Sequence, residues 1–330
     1  MLSIRTTRRR AADAVKILKS SRLLAETTAK HSDSYVYFNI NSTDEKVKKL
    51  LIAHGAEVVA KAPPGKGKKL HAKDLGAPKS GYEALGNIAI IDSGVEDKKS
   101  AAESILSSNK SIRTVMSKAS AVKGAYRLRS FSHVLGERTF MADYTENGCR
   151  FVFDIRRTFF SGKLSFERSR ISSLAKDGEN VIVMFAGVGP FAIEIAKRHR
   201  RSNVVAIELN SAACRYLRRN IELNKLDNVV AVEGDAASAA KNYKGYADRI
   251  VMPLPKDALG FLSAAFLSAK KGAMVHVYSF GKRENAFADA RTAIGHAASK
   301  AGAKSKIVFQ RKVRDYSAGD IEVVTDFIVL

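Results

Sequence analysis

From residue 180 onward, short apolar runs rich in β-branched residues alternate with longer stretches whose apolar positions recur every three or four residues. The runs at 180–185, 203–208, 228–233, 247–252 and 273–279 predict strands. The stretches at 190–200, 211–224, 257–270 and 284–300 predict helices. Two more strands follow in "KSKIVFQRKVRDY" and "IEVVTDFIVL". Regular β–α alternation implies a mostly parallel, doubly wound sheet with helices on both faces, and the closing pair implies an antiparallel edge. This α/β domain spans 161–330, opening with a predicted helix in "LSFERSRISSLAK" (164–176).

The pattern upstream is less regular. Ala11, Ala12, Val15, Leu18 and Leu23 suit one helix face, "YVYFNI" (35–40) suits a strand, and "DEKVKKLLIAHGA" has an acidic start and a glycine near its end, as a helix would. These predict a small α/β domain over 1–64. "KAPPGKGKK" (61–69) is too rich in proline, glycine and lysine to build a core, so a linker is expected over 65–79. A middle α/β domain over 80–160 is expected from "NIAIID" (strand), "EDKKSAAESILSSN" (helix), and the strand-like "SIRTVMSK", "GAYRLRSF" and "GCRFVFDI".

Charge changes the picture. The chain of 330 residues carries a formal net charge of +23, and residues 1–79 hold 17 Lys+Arg against 7 Asp+Glu. Such an uneven excess points to a polyanion, most simply nucleic acid. The amphipathic basic start "MLSIRTTRRRAADAVKILKS" could imitate a presequence, but it runs into a credible folded segment and is expected to be part of a domain. The two cysteines, Cys149 and Cys214, have no metal-type spacing, so no metal centre and a reducing, cytoplasmic setting are expected. No apolar run approaches the length of a membrane span.

The candidate chemistry lies in "VIVMFAGVGPFAIEIAKRHRRSNVVAIELN" (181–210). Gly187 and Gly189 follow a strand, and Pro190 occupies a natural first helical position. Two of the three dinucleotide glycines are present; Phe191 and Ala192 stand where the third would come, so a pyrophosphate lacks its full cradle. Glu208 ends the next strand, where a carboxylate can take both ribose hydroxyls, and Asp235 ends the third, near an adenine edge. An adenosine site without a pyrophosphate cradle is most consistent with S-adenosylmethionine.

"FAGVGPFAIEIAKR", "IELNSAACRYLRRNIELNKLDNV", "EGDA", "DRIVMPLPKDALGFL" and, upstream, "YEALGNIAIID", "VKGAYRLRSFSHVLGE" and "ENGCRFVFDIRRTFFSGKLSFERSRI" resemble the archaeal and eukaryotic type of tRNA (guanosine-37-N1) methyltransferase. The resemblance covers about residues 80–330 well and the N-terminal part loosely. It implies a Rossmann-like class I methyltransferase sheet, a middle domain that completes the active site, an N-terminal tRNA-binding domain, and a monomer acting on tRNA. It implies Glu167 as the group that takes the N1 proton and Arg127 as the group that steadies charge on O6. Phe185, Gly187, Gly189, Glu208, Leu209, Asp235, Ala236 and Pro253 would hold the cofactor; Arg129, Asn210 and Leu254 would meet the substrate. Glu167 could equally be a surface residue paired with Arg168 or Arg170. Tyr126, Tyr144 and Phe160 are candidates for stacking on an extruded base, or core residues.

The chain departs from the resembled pattern at three places. Val183 stands where many relatives carry an aspartate that helps organise the methionine end of the cofactor. Pro253 stands where many carry an asparagine, which removes a side-chain amide. "FFSGKL" replaces "FFSPRL", so Gly162 loosens a turn while Lys163 keeps the charge. Two alternatives stay open: a wybutosine-pathway enzyme of the same fold (aminocarboxypropyl transfer or precursor methylation), and a non-catalytic RNA-binding protein with a retired methyltransferase domain.

Overall fold

The computed structural model describes residues 2–7, 14, 24–31, 35–40, 49, 51–53, 56–59, 68–69, 81–122, 124, 126–254 and 256–330. Residue contacts divide the chain into two units. One comprises Met1–Glu83, Ala89–Ser117 and His133–Gly136, the other Ala84–Ile88, Lys118–Ser132 and Glu137–Leu330.

In the first unit, β1 (Leu2–Thr7), β2 (Leu24–His31), β3 (Tyr35–Ile40), β4 (Glu57–Val59) and β5 (Lys68–Lys69) form an antiparallel sheet in the order β4-β1-β3-β2-β5. β3 is the predicted "YVYFNI" strand. The lysine-rich stretch read as a spacer ends in β5, where Lys69 pairs with Thr28 and Lys68 with Ala29, so its last two residues are sheet edge. The predicted helix face from Ala11 to Leu23 lies outside the described residues apart from helical Ala14. β6 (Glu83–Leu85), β7 (Ile88–Ile91), β8 (Thr114–Lys118) and β9 (Phe131–Gly136) make a four-stranded sheet in sequence order. Helix α1 (Lys98–Ser108) is capped by Asp97, whose carboxylate accepts from Ser100 N at 2.9 Å. It buries Ala102 and Ile105 against Ala89, Ile91 and Val115.

The second unit carries the hairpin β10 (Met141–Glu146)–β11 (Cys149–Asp154) and a seven-stranded sheet. The large sheet consists of β12 (Asn180–Met184), β13 (Asn203–Glu208), β14 (Val229–Glu233), β15 (Ala247–Met252), β16 (Ala269–Lys282), β17 (Ser305–Asp315) and β18 (Asp320–Val329), in the order β14-β13-β12-β15-β16-β18-β17. The first five are parallel; β18 pairs antiparallel with both β16 and β17, as the closing-strand pattern predicts. Val181 to Met184 are fully buried, as expected for a parallel strand covered on both faces. Between strands run α2 (Ser165–Leu174), α3 (Pro190–Arg198), α4 (Ser211–Leu223), α5 (Ala236–Ala240), α6 (Leu262–Ser268) and α7 (Ala286–Lys300). Strand order reverses on either side of β12, which opens a crevice beyond the carboxyl ends of β12, β13 and β15.

Asn220 of α4 and Asn224, the residue that caps its C-terminus, replace a missing strand partner for β11. Asn220 accepts from Val152 N at 2.8 Å and donates to Val188 O at 3.0 Å. Asn224 accepts from Arg150 N at 3.0 Å and donates to Arg150 O at 2.7 Å. The hairpin is thereby locked to the glycine turn.

"GAYRLRSF", read as a strand, is not one: among its described residues Gly124, Tyr126 and Arg127 are in a turn. Arg127 N donates to Gly124 O at 3.1 Å, both residues have positive φ, and the strand begins only at Phe131. The apolar–polar alternation there places side chains around a bend instead of on two faces of a sheet.

Candidate active site

The crevice holds a cavity of about 260 Å³, built entirely within the second unit. After Met184 the chain turns sharply. Phe185 adopts a left-handed backbone (φ 56°), Ala186 N donates to Ile207 O, and Gly189 N closes on Ala186 O, each at 2.9 Å. The two glycines do different work. A Cβ at Gly189 would sit 2.5 Å from Leu217 Cδ1 and 2.9 Å from Ile193 Cδ1, so this glycine lets α3 and α4 approach and does not line the cavity. At Gly187 a Cβ would find only Phe159 O, at 3.9 Å, and this glycine faces the cavity.

Glu208, at the end of β13, forms one side of the cavity. Its Oε2 accepts from Gly187 N at 2.7 Å and its Oε1 from Asn210 N at 2.8 Å. Burial raises its pKa, and these amide bonds work against that rise. The carboxylate is therefore fixed in orientation before any ligand arrives. Asp235 Oδ1 accepts from Ser238 N at 2.9 Å and caps α5. Asn210, expected to orient ribose or target, spends its side chain on structure. Its Oδ1 caps α4, and its Nδ2 donates to Arg157 O at 2.8 Å.

Leu209, Ala236, Pro253, Leu254, Ile207, Phe185 and Phe261 supply the apolar walls, the last two rings meeting edge to face at 4.8 Å. Arg127 and Tyr126 enter from the turn at 124–127. The Arg127 guanidinium stacks over Phe159 at 4.4 Å, and burial lowers its pKa. Sequence reasoning missed Phe159, Ile207, Ala213, Gly234, Asp257 and Phe261 in the lining; no periodicity or spacing marks them as such.

The lining holds three carboxylates (Glu208, Asp235, Asp257) and one guanidinium (Arg127). That balance is unsuited to a pyrophosphate and suited to a ligand carrying positive charge. An adenosine bearing a sulfonium and an ammonium fits the donor set: Glu208 for ribose, Asp235 and Ala236 at the purine end, and Gly187 open toward the chain.

Three expected site residues are not in this lining. Arg129 lines a separate open hollow with Ser120, Ser130, Phe131 and Arg156. Gly189 is a packing glycine, as above. Glu167 is enclosed: its side chain is 1 % exposed, and it accepts from Tyr278 Oη at 2.7 Å, Arg170 Nε at 3.0 Å and Arg311. It is thus paired with Arg170 but is not a surface residue. Arg170 is braced in turn by Asp326 at 2.7 Å. Of the stacking candidates, only Tyr126 borders the cavity. Tyr144 and Phe160 pack edge to face at 5.0 Å beside the buried Arg168, and Tyr144 donates to Glu146. Val183 is fully buried in β12 and absent from the lining, so the missing aspartate removes no group from the cavity wall.

Residues 142–308 match the TRM5/TYW2 methyltransferase domain and residues 67–139 the TYW2 N-terminal domain. The tRNA (guanine(37)-N(1))-methyltransferase Trm5b of Pyrococcus abyssi is 37 % identical over 251 residues, 75 % of this chain and 74 % of that protein. Its crystal structure superposes with a TM-score of 0.71 at 28 % identity, covering 100 % of this chain and 99 % of that one. The tRNA 4-demethylwyosine(37)-methyltransferase Taw21 of Saccharolobus solfataricus is 36 % identical over 201 residues, 60 % of this chain and 76 % of that protein. The structure of aTrm5 in complex with tRNALeu aligns with a TM-score of 0.69 at 26 % identity, covering 99 % of each chain. With a glycine turn, a strand-end carboxylate and a guanidinium gathered at one switch-point cavity, and half the sequence matching one methyltransferase domain, the chain belongs to the TRM5/TYW2 methyltransferase family.

Proposed function

We propose that this protein is an S-adenosylmethionine-dependent tRNA methyltransferase that modifies N1 of guanosine 37. The observation that carries the reading is the shared cavity: the adenosyl end (Gly187, Glu208, Asp235) and the guanidinium of Arg127 line one continuous space. The net charge of +23 suits a tRNA partner. Glu208, Asp235, Gly187 and the apolar walls hold the cofactor, which when bound supplies an electrophilic methyl on a positively charged sulfur.

N1 of guanine carries a proton and is a poor nucleophile. As N1 is alkylated its proton must leave, and negative charge gathers on O6. Arg127 is held by Phe159 where it faces the target and offers its N–H groups to O6. Glu167 takes the proton. It reaches the base once Arg311, its more exposed partner at 34 %, is drawn away by the incoming nucleic acid; such contacts commonly tighten only in the substrate complex. Glu167→Gln is expected to slow single-turnover methyl transfer by about 10²-fold while leaving tRNA affinity nearly intact. A wild-type rate in that variant removes Glu167 from the chemistry.

The direct test of the function is to incubate the protein with unmodified tRNA transcript and labelled cofactor, then map the product by nuclease digestion and mass spectrometry. Methyl on N1 of guanosine 37 supports the reading; label elsewhere overturns it. The likeness to Taw21 favours a second substrate, and tRNA bearing 4-demethylwyosine at position 37 belongs in the same assay. Calorimetric titration with S-adenosylmethionine separates both from a retired domain, which would not bind it.

A further inference from the structure

Of the three carboxylates in the cavity wall, two are already committed. Glu208 accepts from two backbone amides, and Asp235 caps α5. The third is Asp257: its backbone carbonyl accepts from Gly260 N at 3.0 Å, but among the described residues its carboxylate accepts no hydrogen bond, and although it precedes the 3₁₀ turn Ala258–Phe261 its side chain does not cap it. The backbone that carries it is nonetheless fixed. Asp257 N and Ala258 N both donate to Leu254 O, at 3.3 and 3.0 Å. Ala258 is fully buried, and Phe261 packs on Phe185. An uncommitted acid thus stands on an anchored turn in the same cavity as Arg127, and the two side chains feel each other's charge.

Guanine is the base that this pair fits. Its Watson–Crick edge presents one acceptor, O6, followed by two donors, N1–H and the N2 amine. Adenine has an amine in place of O6 and no amine at C2, so it would set a donor against the guanidinium and leave the carboxylate unmatched. Pro253, four residues earlier in the same wall, offers no side-chain amide. Its only acceptor is its backbone carbonyl, so among the side chains of this wall segment the carboxylate of Asp257 is the acceptor available to the amine.

We propose that Asp257 is a specificity-determining residue that accepts a hydrogen bond from the N2 amine of the target guanine while Arg127 holds O6. The inference rests on the guanosine reading above and adds to it the group that distinguishes guanine from its analogue without the amine. Asp257 is exposed in the free protein; a base seated against it would cover the carboxylate, and a base lacking the amine would leave it desolvated without a partner, which is how a site built to hydrogen-bond an N–H discriminates.

The test compares two otherwise identical tRNA transcripts, with guanosine or inosine at position 37, by kcat/KM for the wild-type protein, Asp257→Ala and Asp257→Leu. Inosine lacks only the N2 amine. Wild type is expected to favour guanosine by about tenfold or more. Both variants are expected to methylate guanosine about tenfold to a hundredfold more slowly. Their inosine rates should stay close to wild type, so that the preference disappears. S-Adenosylhomocysteine affinity, read by calorimetry, should be unchanged and shows that the cavity is intact. A variant that keeps the guanosine preference overturns the inference and leaves the guanosine reading standing. So does a wild type that treats the two transcripts alike, a result that needs no variant to fold. If wild type places no methyl on N1 of guanosine 37, the guanosine reading itself fails and the inference falls with it.

Discussion

Arg127→Ala is expected to lower the single-turnover rate of methyl transfer by about 10²–10³-fold, the usual consequence of removing one preorganised donor from a developing oxyanion. Arg127 is the only cation among the described residues lining the cavity, so no neighbour can take its place. Its position does not depend on the ligand: the ring of Phe159 lies under it at 4.4 Å, and the hydrogen bond from Arg127 N to Gly124 O closes the turn that carries it. Cofactor affinity should change little, because the groups assigned to the adenosyl end belong to other elements. Arg127→Lys should recover only part of the rate, since an ammonium lacks the planar fork. A rate within threefold of wild type for the alanine variant would remove Arg127 from the chemistry.

The second large effect is on stability. Arg168, 2 % exposed, lies between two buried carboxylates, with Nε at 2.5 Å from Glu146 and 3.7 Å from Glu194. Asn147 donates to Glu194 at 2.9 Å and Tyr144 to Glu146 at 3.1 Å. The cluster joins β10, α2 and α3, and so braces the helix that follows the glycine turn. Arg168→Met leaves both acids buried without a cation and is expected to cost about 3–5 kcal/mol in urea unfolding at neutral pH. Burial, then repulsion from Glu146, raises the Glu194 pKa to about 8. An unfolded glutamate titrates near ~4.3, so between that value and about 8 the folded state binds the extra proton. Stability contributed by this group therefore falls as pH rises through that window. Glu194→Gln is expected to flatten that decline between pH 5 and 8; an unchanged slope would show that Glu194 ionises normally.

The parallel sheet was legible because burial on both faces writes continuous apolar runs. β13 and β15 begin and end where "NVVAIE" and "ADRIVM" do. β9 and β10 were not legible: "FSHVLG" and "MADYTE" are only partly buried and carry no strong period. Glu208 and Asp235 could be placed from strand ends alone. The division of labour between Gly187 and Gly189 could not, since it depends on Leu217 and Ile193 arriving from elsewhere. Asp257 sits in a stretch read as plain helix, and only the fold of the 3₁₀ turn brings it to the cavity. Glu167 was found by resemblance and its partner Arg170 by proximity, but the other two donors that enclose it come from β16 and β17, more than a hundred residues away.

Two of the residues with positive φ other than glycine, Arg127 (54°) and Phe185 (56°), both line the cavity. A left-handed backbone costs a residue with a side chain about 1–2 kcal/mol, which glycine would not incur. Laboratory evolution for heat resistance alone would therefore be drawn to glycine at both sites, and the hardier descendants would have surrendered the guanidinium and the aromatic wall on which the proposed chemistry depends.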